Sequence, residues 1–186
     1  GADKTVMIMD RNNGSGDFSE YVLITNNIIH DSYNNDIFKI HDGVRFVTIR
    51  GNIFYNQGDS DEHLDVNGVT DIVIEQNIFF NDFAGSGRPD TVTAKHFLTI
   101  KDSNEGVDGQ WGSERIRVRS NIFFNWEGGM EAFINVGNDG KPYYEANDVT
   151  IENNLLIGNS SESIDAPVSI RGAQNISFIN NTVAGD

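Results

Sequence analysis

Apolar and polar positions alternate through most of this chain, in short runs that restart at intervals. In Val47-Thr48-Ile49-Arg50-Gly51-Asn52-Ile53-Phe54-Tyr55-Asn56 the apolar side chains fall on every second residue, then the pattern breaks at Asn52 and resumes. Ile74-Glu75-Gln76-Asn77-Ile78-Phe79-Phe80-Asn81 and Val118-Arg119-Ser120-Asn121-Ile122-Phe123-Phe124-Asn125 repeat it. Weaker copies surround Asn27, Asn154 and Asn181. A period of two marks a half-buried strand. β-Branched and aromatic residues fill these runs, which suits a pleated surface. The first three of these Asn lie 25 residues apart and the later gaps are 44, 33 and 27. Self-similarity on that scale predicts a solenoid, because one unit cannot bury its own apolar face and must stack on the next.

Each unit predicts three strands. One precedes the Asn. A second, earlier in the coil, is expected at Val6–Met9, Ile37–Ile40, His63–Val66, Phe97–Ile100, Phe133–Val136 and Pro167–Ile170. A third follows the Asn, as in Ile53-Phe54 and Ile78-Phe79. Stacked units would set equivalent residues in rows about 4.8 Å apart. Asn27, Asn52, Asn77, Asn121, Asn154 and Asn181 then form one interior row, each tolerating a left-handed bend and each amide bonding to its neighbours. Thr25, Arg50, Glu75, Arg119, Glu152 and Ile179 form an outer row of alternating charge that sets the register of the coils. Phe54, Phe79, Phe123 and Leu156 are expected to stack inside.

The repeat and its Asn row resemble right-handed parallel β-helix proteins of the pectate-lyase-like superfamily, over nearly the whole chain. The resemblance implies an all-β, right-handed, single-stranded parallel β-helix of about six coils, with residues 1–186 as one domain. It specifies function weakly, because that superfamily holds lyases, hydrolases, epimerases, adhesins and tailspikes. Its catalytic motifs are absent here. There is no Trp-x-Asp-His, no Arg-x-Pro-x-x-Arg, and no set of Asn-Thr-Asp, Asp-Asp and His-Gly. No catalytic residue is therefore carried over from the family.

Composition narrows the partners. With 13 Lys and Arg against 28 Asp and Glu, the formal charge is −15. No basic patch large enough for phosphates is visible, which argues against nucleic acid or an anionic membrane. No apolar run is long enough to span a bilayer. There is no Cys, hence no disulfide framework. Acidity fits a secreted or cell-surface protein that meets anionic ligands through Ca²⁺. The chain opens on a strand-like run and ends close after its last repeat, so it reads as a segment of a longer protein, with further β-helix coils or domains of the parent chain as partners.

Loops of uneven length flank the strand that holds Lys39 and Asp65, which directs attention to its outer face. Three outward rows are expected there: Ile37, His63, Phe97, Phe133 and Pro167; Ile8, Lys39, Asp65, Thr99, Asn135 and Ser169; and Asp10, His41, Asn67, Lys101, Gly137 and Arg171. His96 and Asp102 lie alongside. A uronate lyase needs a cation on the carboxylate, a base for the α-proton and help for the leaving oxygen. Lys39 or Lys101 is the expected base and His41 or His63 the acid. Glu62 and Asp65 are the expected Ca²⁺ ligands, with Asp65 and Asn67 touching sugar and Phe97 and Phe133 stacking on it. A hydrolase would use Asp65 with Glu62 or Asp102. The acidic loops Asp59-Ser60-Asp61-Glu62 and Asn138-Asp139-Gly140 are further Ca²⁺ candidates. Trp111 and Trp126 are loop anchors or sugar platforms. The expected function is binding and cleaving an acidic polysaccharide. The alternative is a non-catalytic structural or adhesive segment of a large extracellular protein.

Overall fold

The computed structural model describes residues 5–9, 18–32, 35–57, 62–87, 95–103, 112–127, 130–137, 140–158 and 164–185. Every coil contributes three short strands. Coil 1 holds β1 (Val6–Met9), β2 (Glu20–Thr25) and β3 (Ile28–His30). Coil 2 holds β4 (Phe38–His41), β5 (Arg45–Arg50) and β6 (Ile53–Tyr55). Coil 3 holds β7 (Leu64–Asn67), β8 (Thr70–Glu75) and β9 (Ile78–Phe80), followed by the short helix α1 (Phe83–Ser86). Coil 4 holds β10 (His96–Lys101), β11 (Ser113–Arg119) and β12 (Ile122–Phe124). Coil 5 holds β13 (Met130–Val136), β14 (Ala146–Glu152) and β15 (Leu155–Gly158). Coil 6 holds β16 (Ile164–Ile170), β17 (Ala173–Ile179) and β18 (Thr182–Gly185). Equivalent strands pair in parallel from coil to coil. The result is three six-stranded parallel sheets, β1 to β16, β2 to β17 and β3 to β18 in steps of three. This is a parallel β-helix of six coils.

The core is the bore of the helix. Phe38, Ile40, Leu64, Val66, Leu98, Ile100, Ile134 and Val136 fill it from the first sheet. Val47, Ile49, Ile72, Ile74, Ile116, Val118, Val149 and Ile151 fill it from the second. From the third come Phe54, Phe79 and Phe123, whose rings stack at 5.0 and 4.7 Å. Offset ring stacks of this kind add to the area they bury.

The Asn row forms as expected, and its inner members have every side-chain polar atom bonded. Asn77 illustrates the unit. Its Oδ1 accepts the backbone N–H and the side-chain amide of Asn52, at 2.9 and 3.1 Å. Its own side-chain amide donates to Asn121 Oδ1 and to Ile49 O, at 3.0 and 2.9 Å. The same links run from Asn27 to Asn181. One expectation needs correction. The left-handed residue is the one before each Asn: Asn26, Gly51, Gln76, Ser120, Asn153 and Asn180, at φ between 52° and 67°. That residue turns the corner outside, which leaves the Asn extended and its amide inside, where the bonding is needed.

The outer charge row also holds. Register pairs Thr25 with Arg50, Arg50 with Glu75, Glu75 with Arg119 and Arg119 with Glu152. Glu75 receives Arg119 at 2.7 Å and Arg50 at 3.6 Å. Exposed pairs of this kind contribute roughly 0–1 kcal/mol each, so their value is register.

A second left-handed position recurs near the start of each strand of the second sheet: Tyr21, Phe46, Asp71, Arg115, Asp148 and Asn175. For residues with a Cβ other than Asn and Asp this conformation costs of order 1–3 kcal/mol.

Candidate functional site

On the outer face of the first sheet the chain sets Met7, Lys39, Asp65, Thr99, Asn135 and Ser169 in one row. Met7 stands where Ile8 was expected, because Ile8 pairs with Ile40 on the inner face. The neighbouring row is different from expectation. Ile37, His63, Phe97 and Phe133 are fully buried, although alternation pointed them outward. At the corner between the third and first sheets the chain wraps around the core, so two successive residues, such as Ile37 and Phe38, both reach it. Phe97 and Phe133 stack on each other at 5.5 Å inside the molecule and are not sugar platforms. Trp126 packs edge-on against Phe97 at 4.8 Å and anchors its loop. Trp111, Asp10, Asp59, Ser60, Asp61, Asn138 and Asp139 lie outside the described residues.

His63 belongs to the same interior stack. It packs on Phe97 at 4.4 Å, and its Nε2–H donates to Asn81 Oδ1 at 2.9 Å. Burial pushes its pKa down to about 3, against the smaller opposing effect of the Asn81 hydrogen bond. It is a neutral core side chain and no proton donor to a surface ligand. His41, on the outer edge, has Nδ1 at 3.0 Å from Asp42 Oδ2. Asn67 is committed to the neighbouring turn: its amide donates to Ser103 Oγ at 2.7 Å and its Oδ1 accepts Ser103 N–H at 2.9 Å. Asp102 accepts Gly112 N–H at 2.8 Å and closes a loop.

Lys39 sits among carboxylates. Its Nζ makes a short ion pair with Asp65 Oδ2 and reaches Asp36 Oδ2 at 3.5 Å. Asp65 and Asp36 are buried beneath it. Burial alone would lower the Lys39 pKa, but the Asp65 and Asp36 charges outweigh it and the net shift is upward. A lyase base needs the opposite shift, so the ion pair works against Lys39 in that role. Asp36 is pushed up to about 8, first by burial and then by the charges of Asp65 and Glu62. The nearby Glu62 carboxyl acts in the same direction, and Asp36 Oδ1 accepts the Glu62 backbone N–H at 3.3 Å. Asp36 was missed in the sequence. Internal alignment would have found it, since it precedes Ile37 as Glu62 precedes His63 and His96 precedes Phe97.

Glu62 and Asp65, the expected Ca²⁺ ligands, are engaged with protein groups. The Lys39 ammonium already occupies Asp65, and Glu62 Oε1 accepts Thr99 Oγ1 at 3.2 Å. Among the described residues no three His, Cys, Asp or Glu side chains converge to hold a metal.

Beside this cluster the surface opens into a polar cavity of about 120 Å³. Thr99 and Asn135 form its floor, and Glu62, Lys95, His96, Lys101 and Glu131 its walls. His96 lies between two acids, with Nδ1 at 3.4 Å from Glu62 Oε1 and Nε2 at 3.6 Å from Glu131 Oε2. Burial pushes its pKa down to about 4, with Glu131 opposing, so the ring is neutral near pH 7. Among the described residues one buried polar atom of this lining, Asn135 Oδ1, has no hydrogen-bond partner, and His96 Nε2 has only the long contact with Glu131. Buried polar atoms in native proteins are nearly always bonded, to protein or to water. A second hollow of about 290 Å³ shares Glu131 as a wall and continues past Ser169 to Arg171.

Compared with known proteins, the chain matches no protein-family model, no curated protein and no solved structure.

Proposed function

We propose that this chain is a carbohydrate-active β-helix domain of a secreted or cell-surface protein, binding an acidic polysaccharide along the outer face of its first sheet. The observation that carries this reading is the polar cavity, where Asn135 Oδ1 has no partner and His96 Nε2 has only Glu131 at 3.6 Å. A sugar hydroxyl is both donor and acceptor, and two on one ring would complete both atoms. Lys95 and Lys101 on the wall are placed to meet a uronate carboxylate. The two hollows follow one another along the helix axis, the direction a polymer would lie. The stacked coils and the Asn row support the likeness to the pectate-lyase-like superfamily on which the reading also leans. Cleavage by this site would use neutral His96 as base, in place of Lys39, with Lys101 beside the carboxylate.

A structural or adhesive segment is the second reading. The observation favouring it is the buried group of Asp36, Lys39, Glu62 and Asp65, whose charges meet one another and leave little for a ligand.

The test is direct. The chain is incubated with uronate polysaccharides while reducing ends and the absorbance of unsaturated product are followed, and binding is measured in parallel by calorimetry. Binding that weakens about tenfold in Asn135→Ala supports the site. Product that disappears in His96→Gln adds catalysis to it. No binding and no product would leave the structural reading.

A further inference from the structure

The row that opens the first sheet changes character along the helix axis. Two residues before Phe38, Leu64, Leu98 and Ile134, which pair in turn, stand Asp36, Glu62, His96 and Ala132. The first three are buried polar side chains and the fourth is a buried methyl. His96 therefore has a carboxyl in the coil on one side and nothing polar from its own row on the other. Its Nδ1 lies 3.4 Å from Glu62 Oε1, while Nε2 meets only Glu131, at 3.6 Å, in the wall of the polar cavity.

A neutral imidazole has one N–H and one lone pair, and both of its neighbours here are acids. Only one of them receives the N–H. Glu131 is half exposed, and water can solvate its carboxylate. The Glu62 side chain is 6% exposed, and a buried carboxylate is stable only with donors around it. Thr99 Oγ1 supplies one donor, at 3.2 Å. Asp36 is pushed up to about 8, in part by the charge on Glu62, so near neutral pH it is Asp36 that holds a proton. Depriving Glu62 of the imidazole N–H thus costs more than depriving Glu131 of it. The N–H goes to Nδ1 and the lone pair to Nε2. A free histidine favours the other tautomer, so this one needs the carboxylate to hold it. Burial, Lys95 and Lys101 keep the ring neutral, against the opposing charge of Glu131. Asn135 has the same polarity: its amide donates to Gly137 O at 2.8 Å, and its Oδ1 has no partner. The cavity offers acceptors, and a ligand there brings donors.

We propose that Glu62 is a positioning residue for this cavity. It fixes the proton of His96 on Nδ1, so that Nε2, like Asn135 Oδ1, accepts a hydroxyl of the ligand. The hydroxyl rests on the reading of the cavity as a sugar site; the tautomer does not.

The test begins with the tautomer. The isotope-labelled full chain is measured near neutral pH by long-range proton–nitrogen correlation, with His96 assigned by its loss in His96→Gln. The parent chain is expected to show Nδ1 protonated and Nε2 bare. Glu62→Gln, which keeps the shape and removes the charge, is expected to move the ratio of the two tautomers at least about tenfold toward Nε2–H. Glu131→Gln is expected to leave it within about twofold. Nε2–H in the parent chain overturns the proposal, and that result needs no variant to fold. So does a ratio unchanged in folded Glu62→Gln, or one moved as far by Glu131→Gln. A hexamer of galacturonate is then titrated into the parent chain and Glu62→Gln. The His96 Nε2 signal is expected to shift on binding, and affinity by calorimetry to fall about tenfold in the variant. Binding that leaves Nε2 unmoved overturns the hydroxyl contact. No binding to the parent chain sinks the sugar reading and that contact with it, while the tautomer still decides whether Glu62 sets the ring.

Discussion

Asn77 and Asn121 are joined amide to amide, Nδ2 to Oδ1 at 3.0 Å, across 44 residues of sequence. The coil between them is the longest in the ladder, yet the link matches the 25-residue links on the other side. The extra length does not disturb the row.

The first prediction concerns that row. Asn77→Ala removes four hydrogen bonds and strands the Asn52 N–H, one N–H of the Asn52 amide and Ile49 O in the interior, while Asn121 Oδ1 keeps the backbone N–H of residue 77. Each stranded group costs about 1–3 kcal/mol, less where relaxation or water reaches it. Urea unfolding should show a loss of at least about 3 kcal/mol. Asn27→Ala, at the first coil, strands fewer groups and should lose clearly less. Equal losses would mean the ladder does not carry the stability assigned to it.

Two glycines separate strain from collision. Gly137 has φ of 77°, and a Cβ there would lie 1.9 Å from Arg171 O. Gly140 has φ of 74° and open space around it. Gly140→Ala should cost only the left-handed penalty, about 1–2 kcal/mol. Gly137→Ala should cost well beyond that, because backbone must move as well. Thermal melts of the two variants make the comparison.

The buried charge group predicts a structural phenotype for Lys39. Lys39→Met leaves Asp65 and Asp36 buried without their cation, and removal of one partner of a buried pair costs about 3–5 kcal/mol. Lys39→Met combined with Asp65→Asn should recover much of it. Wild-type stability in Lys39→Met would show that the carboxylates reach solvent and that this account of the cluster is wrong.

Stability should peak near pH 6.5. His63 and His96 stay neutral in the folded chain down to about pH 3 and 4, whereas unfolded His takes its proton near 6.5. Below 6.5 the unfolded state binds more protons at these sites, so stability falls as pH drops. Asp36 acts in reverse. Folded, it keeps its proton to about pH 8; unfolded, it loses it near 3.8. Its contribution falls as pH rises through that window, and above 6.5 it acts without the histidines. Below 6.5 two histidines oppose one aspartate. Asp36→Asn should flatten the alkaline limb and His63→Gln the acid limb, as read by melting temperature against pH. An alkaline limb that persists in Asp36→Asn would assign it to another group.

The candidate site was only partly legible. Lys39, Asp65, Thr99, Asn135 and Lys101 were placed on one face because strict alternation holds along the strand itself. His63, Phe97 and Phe133 were misplaced because alternation fails at the residue just before the inward-facing Leu64, Leu98 and Ile134, so that two successive side chains reach the interior there. The pairing of Lys39 with Asp65 and Asp36, which works against it as a base, depends on distances that a pattern does not contain. The unpartnered Asn135 Oδ1 and the long His96–Glu131 contact depend on which groups lie nearby in space.

The sequence by itself determined the coil. Period-two runs and an Asn at a constant offset from each strand require parallel stacking, because only stacking buries one face of every strand and pairs every Asn amide. The tertiary structure alone decided the chemistry of the surface. A side chain's protonation, and its freedom to meet a ligand, follow from what surrounds it in space. In a solenoid those neighbours come from coils 25 to 44 residues away.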